Sequence, residues 1–406
     1  MDKNQIEKIK SFILKGITDI PVIPDSDSFW QNLRNTGTEL WLDTGDMEQA
    51  EMNWTSEMTA LTTNNTLLNK EIQKGIYDEF IADAKKIVSD LSLKEQIIEI
   101  AFILNARHGL RLARKFGSMV SVELHTDFAH DIDASVKYGL RYFDICPENF
   151  IIKVPYTASG LLAARKLREY GVRINFTLEF SARQNALVTA ITKPNYLNVF
   201  MGRIGAYFKN SGLGDGTGAG ERTVLATQSI VKELSRDYAV PVKLIAASMR
   251  AAHQIDTLAG VDVFTMPTKV AFEGKETLKG NFRSRLSDIP PVALNENAEK
   301  YFPGKFWEVT KKELELAKIL GAKCPEDGNE LIDRVHGAGC GDMFPYLSDN
   351  DLKFISDDGK IPSHDRWADR IASGEVAIDT LLNLAGLASF ATDQAQLDQR
   401  IGDIIN

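Results

Sequence analysis

The chain contains little cysteine: Cys146, Cys324 and Cys340 are the only three among its 406 residues. Three thiols are too few for the disulfide framework of a secreted domain, and they fit a reducing cytoplasm. The chain also lacks an apolar stretch of ~18 residues, which a membrane-spanning helix needs. Residues 1–5 lead directly into a polar helical pattern, unlike a signal peptide. We therefore expect a cytoplasmic protein without a membrane partner.

The chain also has fewer basic than acidic residues. The 47 lysines and arginines face 56 acidic residues, which gives a net charge of -9 at pH 7. This balance argues against nucleic acid or an anionic membrane as the main partner. It gives no long-range attraction for a phosphorylated ligand, so local arginines would have to bind one. The 44% hydrophobic and 25% charged content is typical of a globular protein with an ample core.

The middle of the sequence alternates short β-like runs with amphipathic helical patterns such as residues 158–170. The candidate strands are residues 39–44, 60–64, 119–125, 150–155, 172–178, 197–202, 242–248 and 261–266. Strands that alternate with helices predict a parallel sheet, and eight repeats predict a closed (β/α)8 TIM barrel. We expect this catalytic barrel over residues 37–270. An N-terminal helical segment (1–36) precedes it, and a long, mostly helical C-terminal extension (271–406) packs on it.

Lys153 interrupts the apolar run of residues 150–155, which otherwise has the pattern of a fully buried strand. A lone ammonium there is costly to desolvate, so the side chain is expected to be a neutral amine. A neutral buried lysine is the nucleophile that forms Schiff bases with carbonyl substrates. The alternative is a lysine at the last exposed position of the strand, with its amine in solvent. This segment alone leaves both interpretations open.

Polar residues also stand at the predicted C-terminal ends of the other strands, where barrels place their reacting groups. One such residue often hydrogen-bonds loop backbone, but nine on one rim indicate a site. Their types suit one chemistry: an amine nucleophile, two carboxylates, amides for hydroxyl groups and guanidinium groups for phosphate. The nine are Asp43, Asn64, Glu123, Lys153, Asn175, Thr177, Arg203, Ser248 and Arg250.

The chain resembles the transaldolase family through seven strand motifs that occur in the same order. They are WLDTGD (41–46), LTTNNTLL (61–68), VSVELHTD (120–127), IIKVPYT (151–157), INFTLEFS (174–181), FMGRIGAY (200–207) and AASMR (246–250). The resemblance implies a transferase of the pentose phosphate pathway that acts through a lysine Schiff base. Sedoheptulose 7-phosphate and glyceraldehyde 3-phosphate would exchange a dihydroxyacetone unit to give erythrose 4-phosphate and fructose 6-phosphate. It also implies no metal and no organic cofactor. Whether the chain forms a homo-oligomer stays open.

The resemblance implies a role for each matching residue. Lys153 matches the Schiff-base lysine, and Asp43 matches the carboxylate that takes the proton of the C4 hydroxyl during cleavage. Glu123 and Thr177 match the pair that binds a catalytic water. The expected substrate-binding residues are Asn64 and Asn175 for the hydroxyls of the dihydroxyacetone moiety, and Arg203, Ser248 and Arg250 for the phosphate.

The sequence departs from the family pattern at several places. Asn65 replaces a proline, the C-terminal extension is long, and Asn198 replaces a serine that contacts the donor hydroxyl. We expect Asn198 and Phe200 to line the donor pocket. Fructose-6-phosphate aldolases of the superfamily usually carry tyrosine in place of Phe200 and glutamine in place of Glu123, so this chain favours group transfer. The alternatives are a lyase of that aldolase type, an enzyme for a modified sugar phosphate, and a non-catalytic binding module.

Two weaker patterns give no second function. The glycine-rich run at residues 211–220 lacks both the dinucleotide-binding spacing and a Walker lysine, so we interpret it as a mobile loop beside the barrel mouth. Cys324, His336 and Cys340 would need Asp342 as a fourth ligand to bind zinc. Without a second close cysteine pair this pattern is weak, and we interpret them as ordinary residues of the extension.

Overall fold

The computed structural model describes residues 2–406 and confirms the predicted (β/α)8 barrel. Eight parallel strands follow one another around it in sequence order, and the last pairs with the first. All eight lie at the predicted places, with ends that differ by a few residues. The strands are β1 (Glu39–Asp43), β2 (Met58–Thr62), β3 (Met119–Glu123), β4 (Phe150–Pro155), β5 (Ile174–Thr177), β6 (Tyr196–Phe200), β7 (Lys243–Ala247) and β8 (Val263–Pro267).

The α-helices of the described residues fall into three groups. Two precede the barrel, α1 (Lys3–Leu14) and α2 (Ser28–Arg34). Those of the barrel are α3 (Met47–Asn53), α4 (Asn65–Gln73), α5 (Asp78–Val88), α6 (Leu93–Phe116), α7 (Ile132–Ile145), α8 (Ala158–Glu169), α9 (Ala182–Thr192), α10 (Met201–Asn210), α11 (Ala219–Asp237), α12 (His253–Thr257) and α13 (Thr268–Thr277). The extension contains α14 (Lys311–Ala322), α15 (Gly328–Gly337), α16 (Asp349–Asp358), α17 (His364–Ala372) and α18 (Ile378–Ile405). Over residues 2–406, none of these helices combines the length and the hydropathy needed to cross a membrane.

Along each strand every second side chain points into the barrel, because successive side chains of a β-strand point to opposite faces. Near its floor the Trp41 and Tyr196 rings meet edge to face with centroids 4.6 Å apart. Closer to the carboxyl ends of the strands the interior becomes polar, and the hydroxyls of Thr62 and Thr265 lie 2.6 Å apart. Because the sequence places its polar residues late in each strand, the buried polar groups collect at one end of the barrel.

A buried ion cluster anchors the extension to the barrel. Arg183 on α9 is fully buried and donates two hydrogen bonds to Asp379 on α18, at 2.8 and 2.7 Å. It also contacts Asp342 at 2.8 Å and Glu313 at 3.0 Å. Removing one partner from such a cluster leaves uncompensated charge, which typically costs about 3–5 kcal/mol. The extension is therefore fixed on the barrel by more than apolar packing.

The last helix, α18, differs from its prediction in length. The sequence predicts an apolar helix near residues 376–390, but the helix continues to Ile405. Its second half is mostly polar, and the buried apolar residues Leu397, Ile401 and Ile405 recur there every four positions. A single apolar stripe indicates a helix less clearly than the continuous apolar run before it, so the sequence did not predict the second half of α18. The helix lies across the carboxyl ends of the strands, over the barrel mouth.

Candidate active site

Lys153 lies inside the barrel, and only 3% of its surface is exposed. It stands in register with Glu123 on β3 and with Asn175 on β5. Its Nζ donates a hydrogen bond of 3.1 Å to the backbone carbonyl of Thr63. The interpretation in which this amine reaches bulk solvent is therefore wrong. The amine of Lys153 is enclosed by polar residues from the neighbouring strands.

Two carboxyl groups face the same enclosure. Asp43 accepts a 2.8 Å hydrogen bond from the Thr62 hydroxyl, and burial raises its pKa although Lys153 and Arg250 oppose the shift. Glu123 accepts from the backbone amide of Asn65 at 3.2 Å. Burial raises the pKa of Glu123 to about 7 against the opposing charge of Lys153. A carboxyl with a pKa near neutrality can both give and take a proton at physiological pH.

The predicted hydroxyl-binding amides form a hydrogen-bonded line across three strands. Asn175 donates from Nδ2 to the Ser121 hydroxyl at 3.0 Å, and Asn198 donates from Nδ2 to Oδ1 of Asn175 at 2.7 Å. Asn198 also donates to the carbonyl of Phe176. Beside them the Thr177 hydroxyl is buried with no hydrogen-bond partner among residues 2–406. The line fixes the orientation of both amides before a ligand arrives.

Asn64 has a second role that the sequence did not predict. Its Oδ1 accepts a 2.8 Å hydrogen bond from the amide of Leu67 and so caps the N-terminus of α4. This bond occupies the carbonyl side of the amide. A ligand at this position would therefore meet mainly the Nδ2 donor of Asn64.

The predicted phosphate-binding residues meet where α10 begins. Arg203 lies in the first turn of α10, which has no side-chain cap, so backbone amides are directed to this point. Arg203 is 6% exposed, and its Nη1 has no hydrogen-bond partner in the described chain. Burial and the charge of Arg250 lower its pKa to about 10. The absence of a side chain at Gly202 admits Ser248 and Arg250, since a Cβ there would clash with the Ser248 carbonyl. Two guanidinium groups and a helix N-terminus suit an anion.

A cavity of about 250 Å³ lies directly above Glu123. The ends of β4 and β5 form one wall through Pro155 and Leu178, and side chains of α16 and α18 form the roof. A larger groove of about 1130 Å³ lies between α7, α8 and the extension, away from Lys153. The two share Leu387 of α18 and several neighbouring residues. Of the eleven predicted site residues, Glu123 alone lines the smaller cavity and none lines the larger groove, so the smaller cavity is the one that adjoins the polar cluster around Lys153.

Comparison with known proteins gives the family of the chain. Residues 40–303 match the family "Transaldolase/Fructose-6-phosphate aldolase". The chain belongs to this family. A "Probable transaldolase" of Thermus thermophilus is 31% identical over 268 residues, which are 65% of this chain and 100% of the relative. A "Transaldolase" of Chlamydia felis is 24% identical over 294 residues, or 68% of this chain and 88% of the relative. A "Probable transaldolase" of Dictyostelium discoideum is 28% identical over 291 residues, or 64% and 90%.

The transaldolase family match ends before α14, so the five helices of the extension lie outside it. It includes the barrel and all eleven predicted site residues. The comparisons therefore confirm the predicted family.

The sequence analysis missed one buried acid within a family motif. Glu179 follows Thr177 by two positions, is fully buried, and has no hydrogen-bond partner for either carboxyl oxygen among residues 2–406. Burial raises the pKa of Glu179 well above the usual value for a glutamate, which favours the neutral carboxylic acid. Its position in the motif TLEFS was the available signal, but the pattern alone does not show which way this side chain points.

The structure shows where the glycine-rich run and the weak zinc pattern lie. The glycine-rich run packs on α10, since a Cβ on Gly216 would clash with the carbonyl of Gly205. Its mobility stays a prediction. Asp342, the fourth residue of the weak zinc pattern, pairs with Arg183 and Lys305. Within residues 2–406, no group of three histidine, cysteine or acidic side chains is arranged to bind a metal.

Proposed function

We propose that the protein is a transaldolase, which moves a dihydroxyacetone unit from a ketose phosphate to an aldose phosphate through a Schiff base on Lys153. The observation that carries the proposal is the enclosed amine of Lys153, in register with Glu123 and Asn175. The natural exchange would convert sedoheptulose 7-phosphate and glyceraldehyde 3-phosphate to erythrose 4-phosphate and fructose 6-phosphate. This reaction would place the enzyme in the pentose phosphate pathway and in the cytoplasm.

The first half of the reaction attaches the donor. The lone pair of Lys153 attacks the C2 carbonyl of the ketose, and the carbonyl oxygen takes up a proton to give a carbinolamine. Loss of water then leaves an iminium ion. Glu123, with a pKa of about 7, can supply and recover the protons of these steps. The buried hydroxyl of Thr177, which has no partner among residues 2–406, would orient a water between them.

The second half breaks a carbon–carbon bond. Asp43 takes the proton of the C4 hydroxyl, the C3–C4 bond breaks, and its electron pair moves to the iminium to give a neutral enamine. The aldehyde product, which carries the phosphate group, then leaves the site. An acceptor aldehyde then adds to the enamine by the reverse steps, and hydrolysis frees Lys153. Arg203 and Arg250 bind the phosphate of each sugar and align its reacting carbons.

The alternative is a lyase that releases free dihydroxyacetone, since the family includes both reactions. A coupled assay with fructose 6-phosphate separates the two. A transferase turns over only when an acceptor such as erythrose 4-phosphate is present, and Lys153→Ala abolishes the reaction. Equal turnover with and without acceptor would favour the lyase. Wild-type turnover by Lys153→Ala would refute both mechanisms.

A further inference from the structure

One helix of the extension, α18, contacts the segment that follows each of five strands. The cavity above Glu123 is closed on one side by this helix. The contacts pair His125 with Asp398, Thr66 with Asp393, Arg203 with Gly386 and Phe390, and both Tyr156 and Leu178 with Asn383. Each partner in the barrel is a predicted site residue or lies within three positions of one. The helix is therefore part of the boundary of the site.

Asn383 makes the most direct of these contacts. It is 4% exposed, and its Nδ2 donates to the carbonyl of Tyr156 at 3.1 Å and to the carbonyl of Leu178 at 2.9 Å. Tyr156 follows Lys153 by three residues on the same strand end, and Leu178 directly follows Thr177. One amide thus joins the ends of the two strands that carry these groups.

The backbone at Leu178 needs such support. Its φ is +71°, in the left-handed region that residues other than glycine rarely adopt. Strained backbone of this kind persists when its surroundings fix it, and it is concentrated at functional sites. The hydrogen bond from Asn383 fixes the carbonyl of this residue. Without it the end of β5, including Thr177, would be free to relax.

We propose that Asn383 is a positioning residue for the Schiff-base chemistry. It acts through two carbonyl groups to keep the β4 and β5 ends, and with them Lys153 and Thr177, in reactive alignment. This inference rests on the proposed function. It extends the active site to a helix beyond the part of the chain that matches the family.

The chain offers a matched control on the same helix. Thr380, one turn before Asn383, is also buried, and its hydroxyl donates to the carbonyl of Asp342 at 2.8 Å. That bond lies wholly within the extension. Asn383→Leu and Thr380→Val each remove buried hydrogen bonds at nearly constant size, but only the first frees the strand ends.

The experiment measures the rate of borohydride-trapped adduct formation with saturating fructose 6-phosphate, together with KM and the melting temperature. Asn383→Leu should slow trapping about 10–100-fold while KM changes less than about threefold, because misplacement of a reacting group acts mainly on the chemical step. Thr380→Val should trap at a rate within about twofold of wild type, even where its melting temperature falls comparably.

Equal trapping rates for the two variants would overturn the role of Asn383. If Asn383→Leu does not fold, Asn383→Ser replaces it, since the shorter hydroxyl cannot reach both carbonyls, and wild-type trapping by this variant would also overturn the role. Failure of the wild-type protein itself to form an adduct has a different meaning. That result would refute the proposed function, on which the role of Asn383 depends.

Discussion

Replacement of Glu123 by glutamine should stabilise the protein at alkaline pH while it impairs the reaction. Glutamine has the shape of the protonated acid, and its side-chain carbonyl can still accept from the amide of Asn65, now 3.2 Å from the carboxyl. What the variant loses is the charge. Its stability should therefore not include the cost of ionising a carboxyl at this buried place.

The structure gives the size of that cost. The pKa of Glu123 is raised from 4.5 to about 7, and at about 1.4 kcal/mol per pKa unit the full cost is about 3 kcal/mol. The sign follows from the direction of the shift. Below the unfolded pKa both states hold the proton and there is no cost, whereas stability is lost as the pH rises through the folded pKa. Relative to wild type, Glu123→Gln should gain about 3 kcal/mol between about pH 4 and pH 8.

Urea unfolding of both proteins at several pH values measures this difference. In the same preparations, turnover by Glu123→Gln should be about 10²–10⁴-fold lower than that of wild type, which is the usual effect of losing a general acid–base group. A stability difference that stays constant between acidic and alkaline pH would refute the reasoning. It would mean that the carboxyl of Glu123 is as well solvated in the folded protein as in the unfolded chain.

Three further changes have distinct expected results. Asp43→Ala should still form the borohydride-trapped adduct but should slow release of the aldehyde product about 10²–10⁴-fold in a stopped assay; equal loss of both steps would contradict the role of Asp43. Gly386→Ala places a Cβ 2.8 Å from Leu178 Cδ2 and 3.3 Å from Arg203 Nη1. Because Arg203 is expected to bind the phosphate, KM should rise more for fructose 6-phosphate than for free fructose, and an equal rise would argue against phosphate binding by Arg203. Arg183→Met leaves the buried carboxylates of Asp379 and Glu313 and the partly buried one of Asp342 without their main cation. Urea unfolding should therefore show a loss of about 3–5 kcal/mol; an unchanged midpoint would show that the cluster does not anchor the extension.

The sequence predicted the barrel and most of the site because both depend on local patterns. Eight apolar runs alternating with helices are sufficient to indicate the closed sheet, and Lys153 is conspicuous because its strand is otherwise apolar. Since parallel strands bring their carboxyl ends to one rim, polar residues from positions 43 to 250 could be grouped without knowledge of any contact. The resemblance to the family motifs then supplied the expected role of each residue.

The roof of the site could not be predicted in this way. The hydrogen bond between Asn383 and Tyr156 joins residues 227 positions apart, and no periodicity in α18 indicates which surface of the barrel it covers. Glu179 was missed for a related reason. The left-handed turn at Leu178 breaks the strand alternation that would have fixed the direction of the next side chain. Asn64 shows a third limit, because capping of α4 and ligand binding both favour an amide at that position.

The most direct test of the account is the mass of the peptide that contains residues 151–157, after reduction of the protein with borohydride in the presence of fructose 6-phosphate. The account predicts that this peptide gains a reduced dihydroxyacetone unit on Lys153 and that Lys153→Ala gains none. An unmodified peptide from a protein that still turns over the sugar would contradict it.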